Sequence, residues 1–146
     1  MKSKLYSYIL VSLQFLFITV LILQNDSYTP SILPTFIFFI GCCFGIYTIL
    51  HNPPNNFNIS PEIKENATLI TTGAYRYIRH PMYFSVLLIM LGVVLSNLTF
   101  LNFIIYGCLI ITLFLKVQKE EILWMQRSSE YRNYMLKTKK MIPFIL

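Results

Sequence analysis

Two short stretches of this chain concentrate side chains able to bind and orient a charged small molecule. The first is Tyr75-Arg76-Tyr77-Ile78-Arg79-His80-Pro81-Met82-Tyr83, dense in aromatic and basic groups. Pro81 suits the first position of a helix, where its missing N–H costs nothing and its φ is already helical, and His80 then occupies the cap. The free N–H groups and positive dipole end of such a helix favour an anion such as a carboxylate or phosphate, with Arg79 and His80 beside it. The same residues would serve equally as a basic and aromatic belt that anchors the helix at lipid headgroups. The second stretch is Lys116-Val117-Gln118-Lys119-Glu120-Glu121-Ile122-Leu123-Trp124. If this segment is helical and continues, Lys116, Glu120, Leu123, Trp124, Arg127, Tyr131 and Tyr134 recur at three- and four-residue spacing on one face. Glu121 then points about 100° away from Glu120, so Glu120, which shares its face with Lys116 and Trp124, is the favoured carboxylate. From Arg127 onward, an amphipathic helix with solvated charges and aromatics resting on lipid explains the pattern as well.

The elements that position these groups are not those of a water-soluble domain. The chain has 146 residues, 55% hydrophobic and 12% charged, with mean hydropathy +0.60. That composition excludes disorder, a collagen-like fibre and a secreted disulfide scaffold, and the length suits a single domain over 1–146. Apolar runs predict helices over about 5–23, 32–50, 81–96 and 98–117. Roughly 20 helical residues span the hydrocarbon core; three runs meet that length, and the run from Pro81, about 24 Å long at 1.5 Å per residue, either starts within the interface or forms a tight hairpin with its successor. The expected fold is therefore an all-α integral membrane protein of about four transmembrane helices, with a helix 3–4 hairpin and a C-terminal amphipathic cytoplasmic helix. The first run is too long for a signal-peptide core and no small-residue cleavage site follows it, so it reads as an uncleaved helix.

Charge sets the expected orientation. Lys2 and Lys4 precede helix 1, Lys64, Arg76 and Arg79 lie between helices 2 and 3, and the other seven of the 12 Lys and Arg residues run from Lys116 to Lys140. All fall on one side of a four-pass topology, while Gln24–Ser31 and Ser96–Asn97 carry none. The positive-inside rule puts both termini and the central loop in the cytoplasm, of a bacterial inner membrane or the endoplasmic reticulum. The formal charge of +6 then serves orientation and anionic headgroups rather than nucleic acid. Cys42, Cys43 and Cys108 sit in apolar runs as small buried thiols. The sequons at Asn58 and Asn66 face the cytoplasm, and those at Asn25 and Asn97 lie close to the bilayer. In the central loop, Pro53, Pro54 and the asparagines around them end helix 2. Ala67-Thr68-Leu69-Ile70-Thr71-Thr72 reads as extended, and Gly73 as a turn residue with access to φ > 0.

Leu69-Ile70-Thr71-Thr72-Gly73-Ala74-Tyr75-Arg76-Tyr77-Ile78-Arg79-His80-Pro81-Met82-Tyr83, followed at a helical-hairpin distance by Glu120-Glu121, then Tyr131, Tyr134 and Ile142-Pro143, resembles the isoprenylcysteine carboxyl methyltransferase and phospholipid methyltransferase family of integral membrane enzymes. The resemblance covers Leu69 to Pro143 and rests on the pairing of R-H-P-x-Y with E-E. It implies S-adenosylmethionine as methyl donor, bound on the cytoplasmic side by segments 67–83 and 116–124. Its cofactor contacts would be Ala67, Thr68, Leu69, Ile70, Tyr75, His80, Pro81, Met82, Tyr83 and Glu120, with Lys116 and Glu120 as catalytic residues and no metal. Lys116 stands where an arginine near the methyl acceptor is usual; it keeps the charge but loses the bidentate fork that suits a carboxylate. Ala74 replaces a common proline, Ser85 replaces a usual glycine, and Arg127-Ser128 stands where Phe-Gly is frequent.

The residues agree with that donor on physical grounds. His80 and the start of helix 3 can take its carboxylate, Glu120 its ammonium or ribose hydroxyls, and Tyr75 or Tyr83 its sulfonium through cation–π contact. The expected function is methyl transfer to a membrane-embedded amphiphilic acceptor, lipid-like or prenylated, in a chain that could pair with a second copy. A phospholipid amine, a small thiol or another lipid are alternative acceptors, with Glu120 or Glu121 as base for an amine. Other classes are a noncatalytic four-helix scaffold whose basic tail binds anionic lipid, and haem or metal ligation by His51 and His80.

Overall fold

Runs of aliphatic and aromatic residues without charge form helices because, away from water, only a helix pairs every backbone N–H and C=O within its own segment. In the computed structural model, which describes residues 2–24, 31–53, 56 and 58–142, these runs become α1 (Lys2–Leu23), α2 (Ile32–His51), α3 (Pro81–Ser96) and α4 (Phe100–Arg127), followed by a short α5 (Glu130–Lys137). The Asn25 sequon, most of the Gln24–Ser31 connection, Pro54, Asn55 and Pro143 lie outside the described residues. A 3-10 turn over Gly73–Arg76 precedes α3, and the described residues contain no strand beyond a parallel bridge between Ile78 and Lys139. α1, α2 and α4 are long and apolar enough to cross a membrane, whereas α3 has 16 residues.

Local chemistry sets the helix ends. Pro81 opens α3 with His80 at the cap, as its fixed φ requires. α4 begins at Phe100 rather than 98 because the Thr99 hydroxyl accepts from the Asn102 N–H at 3.1 Å and caps it. α4 has 28 residues, about 42 Å at 1.5 Å per residue, so its last turns reach beyond a hydrocarbon core about 30 Å thick. It does not continue through Tyr134. Ser128 is extended (φ −136°, ψ 124°), which divides the single face expected from Lys116 to Tyr134 between two helices. Tyr131 and Tyr134 are nevertheless buried, and Tyr131 stacks on Trp124 with centroids 5.9 Å apart.

α3 packs chiefly on α2, and α4 chiefly on α1. The first pairing follows from small residues that let two backbones approach. A Cβ on Gly41 would stand 2.7 Å from the Ile89 backbone nitrogen, one on Gly92 2.8 Å from the Phe38 nitrogen, and one on Gly45 3.1 Å from the Ser85 hydroxyl. In the second pairing, Ser7, Leu10, Gln14 and Leu21 recur on one buried face of α1. The shared apolar core runs through Leu21, Leu87, Met90, Val94, Leu109, Leu113 and Val117. Phe36, Phe39, Ile46, Leu50, Phe103 and Ile111 are exposed on the outside, as suits helices solvated by lipid.

The C-terminal segment returns to the start of α3. The Arg79 and His80 N–H groups donate to the Lys139 and Lys140 carbonyls at 2.8 and 3.0 Å, and the Lys139 N–H donates to the Tyr77 carbonyl at 2.9 Å. Met141 thereby enters the core.

The glycine contacts separate two helices by one substitution each. Gly41→Ala should destabilise by about 1–3 kcal/mol, since it forces a side chain against backbone. Gly107→Ala, with nothing within 4 Å of the added Cβ, should be neutral or slightly stabilising. Thermal unfolding in detergent measures both, and equal melting temperatures would refute the close α2–α3 approach.

Candidate functional site

The helix arrangement leaves a cavity of about 600 Å³ between the central loop, α2, α3, α4 and α5. Ala67, Thr68, Leu69, Ile70, Tyr75, His80, Pro81, Met82, Tyr83, Lys116 and Glu120 all line it. Residues far apart in sequence are thus brought to one space. Gln14, Asn52, Trp124, Tyr131 and Tyr134 also line it; of these, Gln14 and Asn52 were not among the expected residues, although a lone glutamine within an apolar helix is a recognisable signal for interhelical bonding.

Both glutamates turn toward His80, in different ways. Glu120 accepts from the Tyr83 hydroxyl through Oε1 and stands 3.3 Å from His80 Nδ1 through Oε2. His80 and Tyr83 are stacked, with centroids 5.9 Å apart. Glu121, one residue on and rotated away, does not line the cavity. It accepts from Arg79 Nε at 2.6 Å and lies 3.6 Å from His80 Nε2 and 3.4 Å from Lys140 Nζ. Arg79 also donates through Nη1 to the Thr138 carbonyl at 2.5 Å and the Met135 carbonyl at 3.3 Å.

This geometry corrects one expectation. Arg79 and His80 do not jointly form an anion site, because the guanidinium is occupied by Glu121 and Thr138 and both imidazole nitrogens face carboxylates. Nor are these two residues a headgroup belt, being buried at 9% and 7% exposure. The start of α3 itself carries no side-chain cap. His51, considered with His80 as a ligand pair, instead lies against Tyr47, with ring centroids 5.2 Å apart and tilted by 35°, and under Gly73, whose φ of +59° and lack of a Cβ the packing requires.

Lys116 is buried at 1% exposure and its hydrogen-bond partners among the described residues are neutral: Nζ donates to Gln14 Oε1 at 2.5 Å and to the Ile59 carbonyl at 2.9 Å. It stands 5.0 Å from the Tyr83 ring centroid. Two other cations of α4 fasten the central loop. Lys119 pairs with Glu62 at 2.7 Å, and Arg127 donates to the Lys64 carbonyl at 2.5 Å and to that of Glu65. Asn56 completes the loop by bonding both ways to Thr68, at 2.7 and 2.9 Å. The Ala67–Ile70 wall is therefore held from both sides. Arg127, read from sequence as no more functional than structural, has a specific structural task here.

Burial acts on the titrating groups around the cavity. Tyr75 is pushed up to about 12, first by burial and then by the Glu120 charge, and burial likewise raises Tyr131 and Tyr134. For His80, burial alone disfavours the proton, but Glu120 and Glu121 outweigh it and raise the pKa above the ordinary histidine value. A raised folded-state pKa stabilises the fold fully below the unfolded value of about 6.5, and that contribution is lost as pH rises through the folded value. The melting temperature should accordingly fall across the pH range above about 6.5, and His80→Gln should abolish that dependence. Parallel profiles for the two proteins would contradict the charge assignment.

The model of the isoprenylcysteine carboxyl methyltransferase (ICMT) family matches residues 32–126, from the start of α2 to the last turn of α4. The match begins well before Leu69 and stops short of Tyr131 and Tyr134. No curated protein matches the chain. Matched over more than half of its length, and with the cavity residues from Ala67 to Glu120 inside the matched span, the chain belongs to the isoprenylcysteine carboxyl methyltransferase family of membrane methyltransferases.

Proposed function

We propose that this chain transfers a methyl group from S-adenosylmethionine to an amphiphilic acceptor embedded in the membrane, with the cavity beside Glu120 as its active site. The observation that carries this reading is the convergence on one cavity of the Glu120 carboxylate and Lys116 ammonium of α4 with an aromatic wall that includes Tyr75 from the central loop and Tyr83 from α3. Its volume of about 600 Å³ lies within the range of small-molecule sites. The residues present fit the donor. Asn52 Oδ1 and the Tyr131 hydroxyl are buried without a partner among the described residues, and both residues line the cavity, which suits a ligand rich in amines and hydroxyls. Glu120 and the rings of Tyr75, Tyr83 and Trp124 suit a cationic ligand.

When bound, the donor supplies an electrophilic methyl on a sulfonium, and no covalent enzyme intermediate is needed. The chain's own residues bind and align. Glu120, held by Tyr83 and His80, receives the ammonium or ribose hydroxyls, and the uncapped start of α3 receives the donor carboxylate. Lys116, a buried cation with no carboxylate in ion-pair contact among the described residues, holds an anionic group of the acceptor. Phe15, Cys42, Gly45, Ile46 and Ile49 carry the cavity wall into the apolar part of α1 and α2, where an acceptor's hydrocarbon would lie while water is excluded from the reacting atoms. The gathering of Lys and Arg at one end supports a cytoplasmic position for this site, where the donor is made.

The two charged residues should separate kinetically. Glu120→Gln removes a charge-assisted contact worth about 1.5–3 kcal/mol, so the KM for S-adenosylmethionine should rise by roughly 10- to 150-fold in a methyl-transfer assay on lipid extracts. Lys116→Gln should lower turnover of anionic acceptors while the affinity for S-adenosylhomocysteine stays within a few-fold of wild type. Unchanged donor KM in a folded Glu120→Gln protein would sink the assignment.

A further inference from the structure

α3 separates the donor cavity from a second, apolar groove. Met82, Tyr83, Ser85, Val86 and Ile89 face the first, whereas Leu88 and Leu91 of α3 line the second with Ile110, Ile111 and Phe114 of α4. The groove holds about 350 Å³, and Met141 and Ile142 of the returning C-terminal segment also line it. No charged side chain lines it, and its one hydroxyl, that of Tyr106, already donates to the Leu87 carbonyl at 3.0 Å. Such a space rejects water and accepts hydrocarbon.

The end of the groove is basic. Lys140 Nζ lies 5.0 Å from the Phe114 ring centroid, and its side chain remains 27% exposed. Its carboxylate partner, Glu121, is shared with Arg79 and His80. Arg79 and His80 are buried against that carboxylate, at 6% side-chain exposure each, so Lys140 is the cation of this cluster that reaches the surface beside the groove. We propose that the groove seats one acyl chain of an anionic phospholipid whose headgroup phosphate binds Lys140. A second copy of the chain is the poorer occupant, because a protein of formal charge +6 would bring further cations to a cationic end. The site is distinct from the donor cavity and does not depend on methyl transfer.

Wild type, Lys140→Gln, Leu88→Trp and Ile111→Trp would be equilibrated in vesicles of equal phosphatidylglycerol and phosphatidylcholine with matched chains. Tightly retained lipid would then be counted by native mass spectrometry. Wild type should retain phosphatidylglycerol about tenfold over phosphatidylcholine, as one charge-assisted contact gives. Lys140→Gln should bring the ratio to parity, and whichever tryptophan variant keeps a cooperative melting transition should retain neither lipid. The Lys140→Gln ratio decides the headgroup even if neither tryptophan variant folds. Wild type that keeps no lipid, keeps both equally, or forms a lipid-free dimer through this face overturns the assignment.

Discussion

Arg79 and Glu121 meet at 2.6 Å with side chains 6% and 5% exposed, and the rest of the site depends on that contact. Removing two charges from water costs several kcal/mol per ion, so such a pair persists only where further polar groups surround it. Here the Thr138 and Met135 carbonyls, His80 and Lys140 do so. The C-terminal segment must therefore return to the start of α3, and it does so by pairing Lys139 and Lys140 with Tyr77, Arg79 and His80. With Glu121 occupied in the ion cluster, Glu120 is the carboxylate presented to the cavity. One helical step of about 100° thus divides adjacent glutamates into one held in the ion cluster and one that lines the cavity.

A second constraint is that helices in lipid gain little from apolar burial against one another. Close backbone approach at Gly41, Gly45 and Gly92 joins α2 to α3, and the Gln14–Lys116 bond helps join α1 to α4. The latter also holds a cation in the apolar interior with no carboxylate in ion-pair contact among the described residues, an arrangement costly enough to suggest a role for that charge. The loop between α2 and α3 is then fixed by Lys119, Arg127 and Asn56, so that a wall of the cavity is built from backbone that has no regular structure of its own.

What could be read in the residues alone follows from the range of each interaction. Hydropathy and proline chemistry act locally, so the helices, the start of α3 at Pro81 and the positive φ of Gly73 were legible. The preference for Glu120 also came from local periodicity. The break at Ser128 was not legible, because nothing in Arg127-Ser128-Ser129 forbids a helix; it accompanies the return of Tyr131 and Tyr134 to the cavity. The fate of Arg79 was misread for a related reason. Whether a guanidinium faces a ligand or a buried carboxylate 42 residues away is decided by tertiary packing.

Family membership supplies the reaction class, and the cavity supplies the physical reason for locating it beside Glu120. The central claim is that this cavity binds the methyl donor. It is tested most directly by calorimetric titration of S-adenosylhomocysteine into the wild-type protein in lipid nanodiscs. Saturable binding with one site per chain is the expected result. A folded, monodisperse preparation that gives no saturable heat would contradict the account.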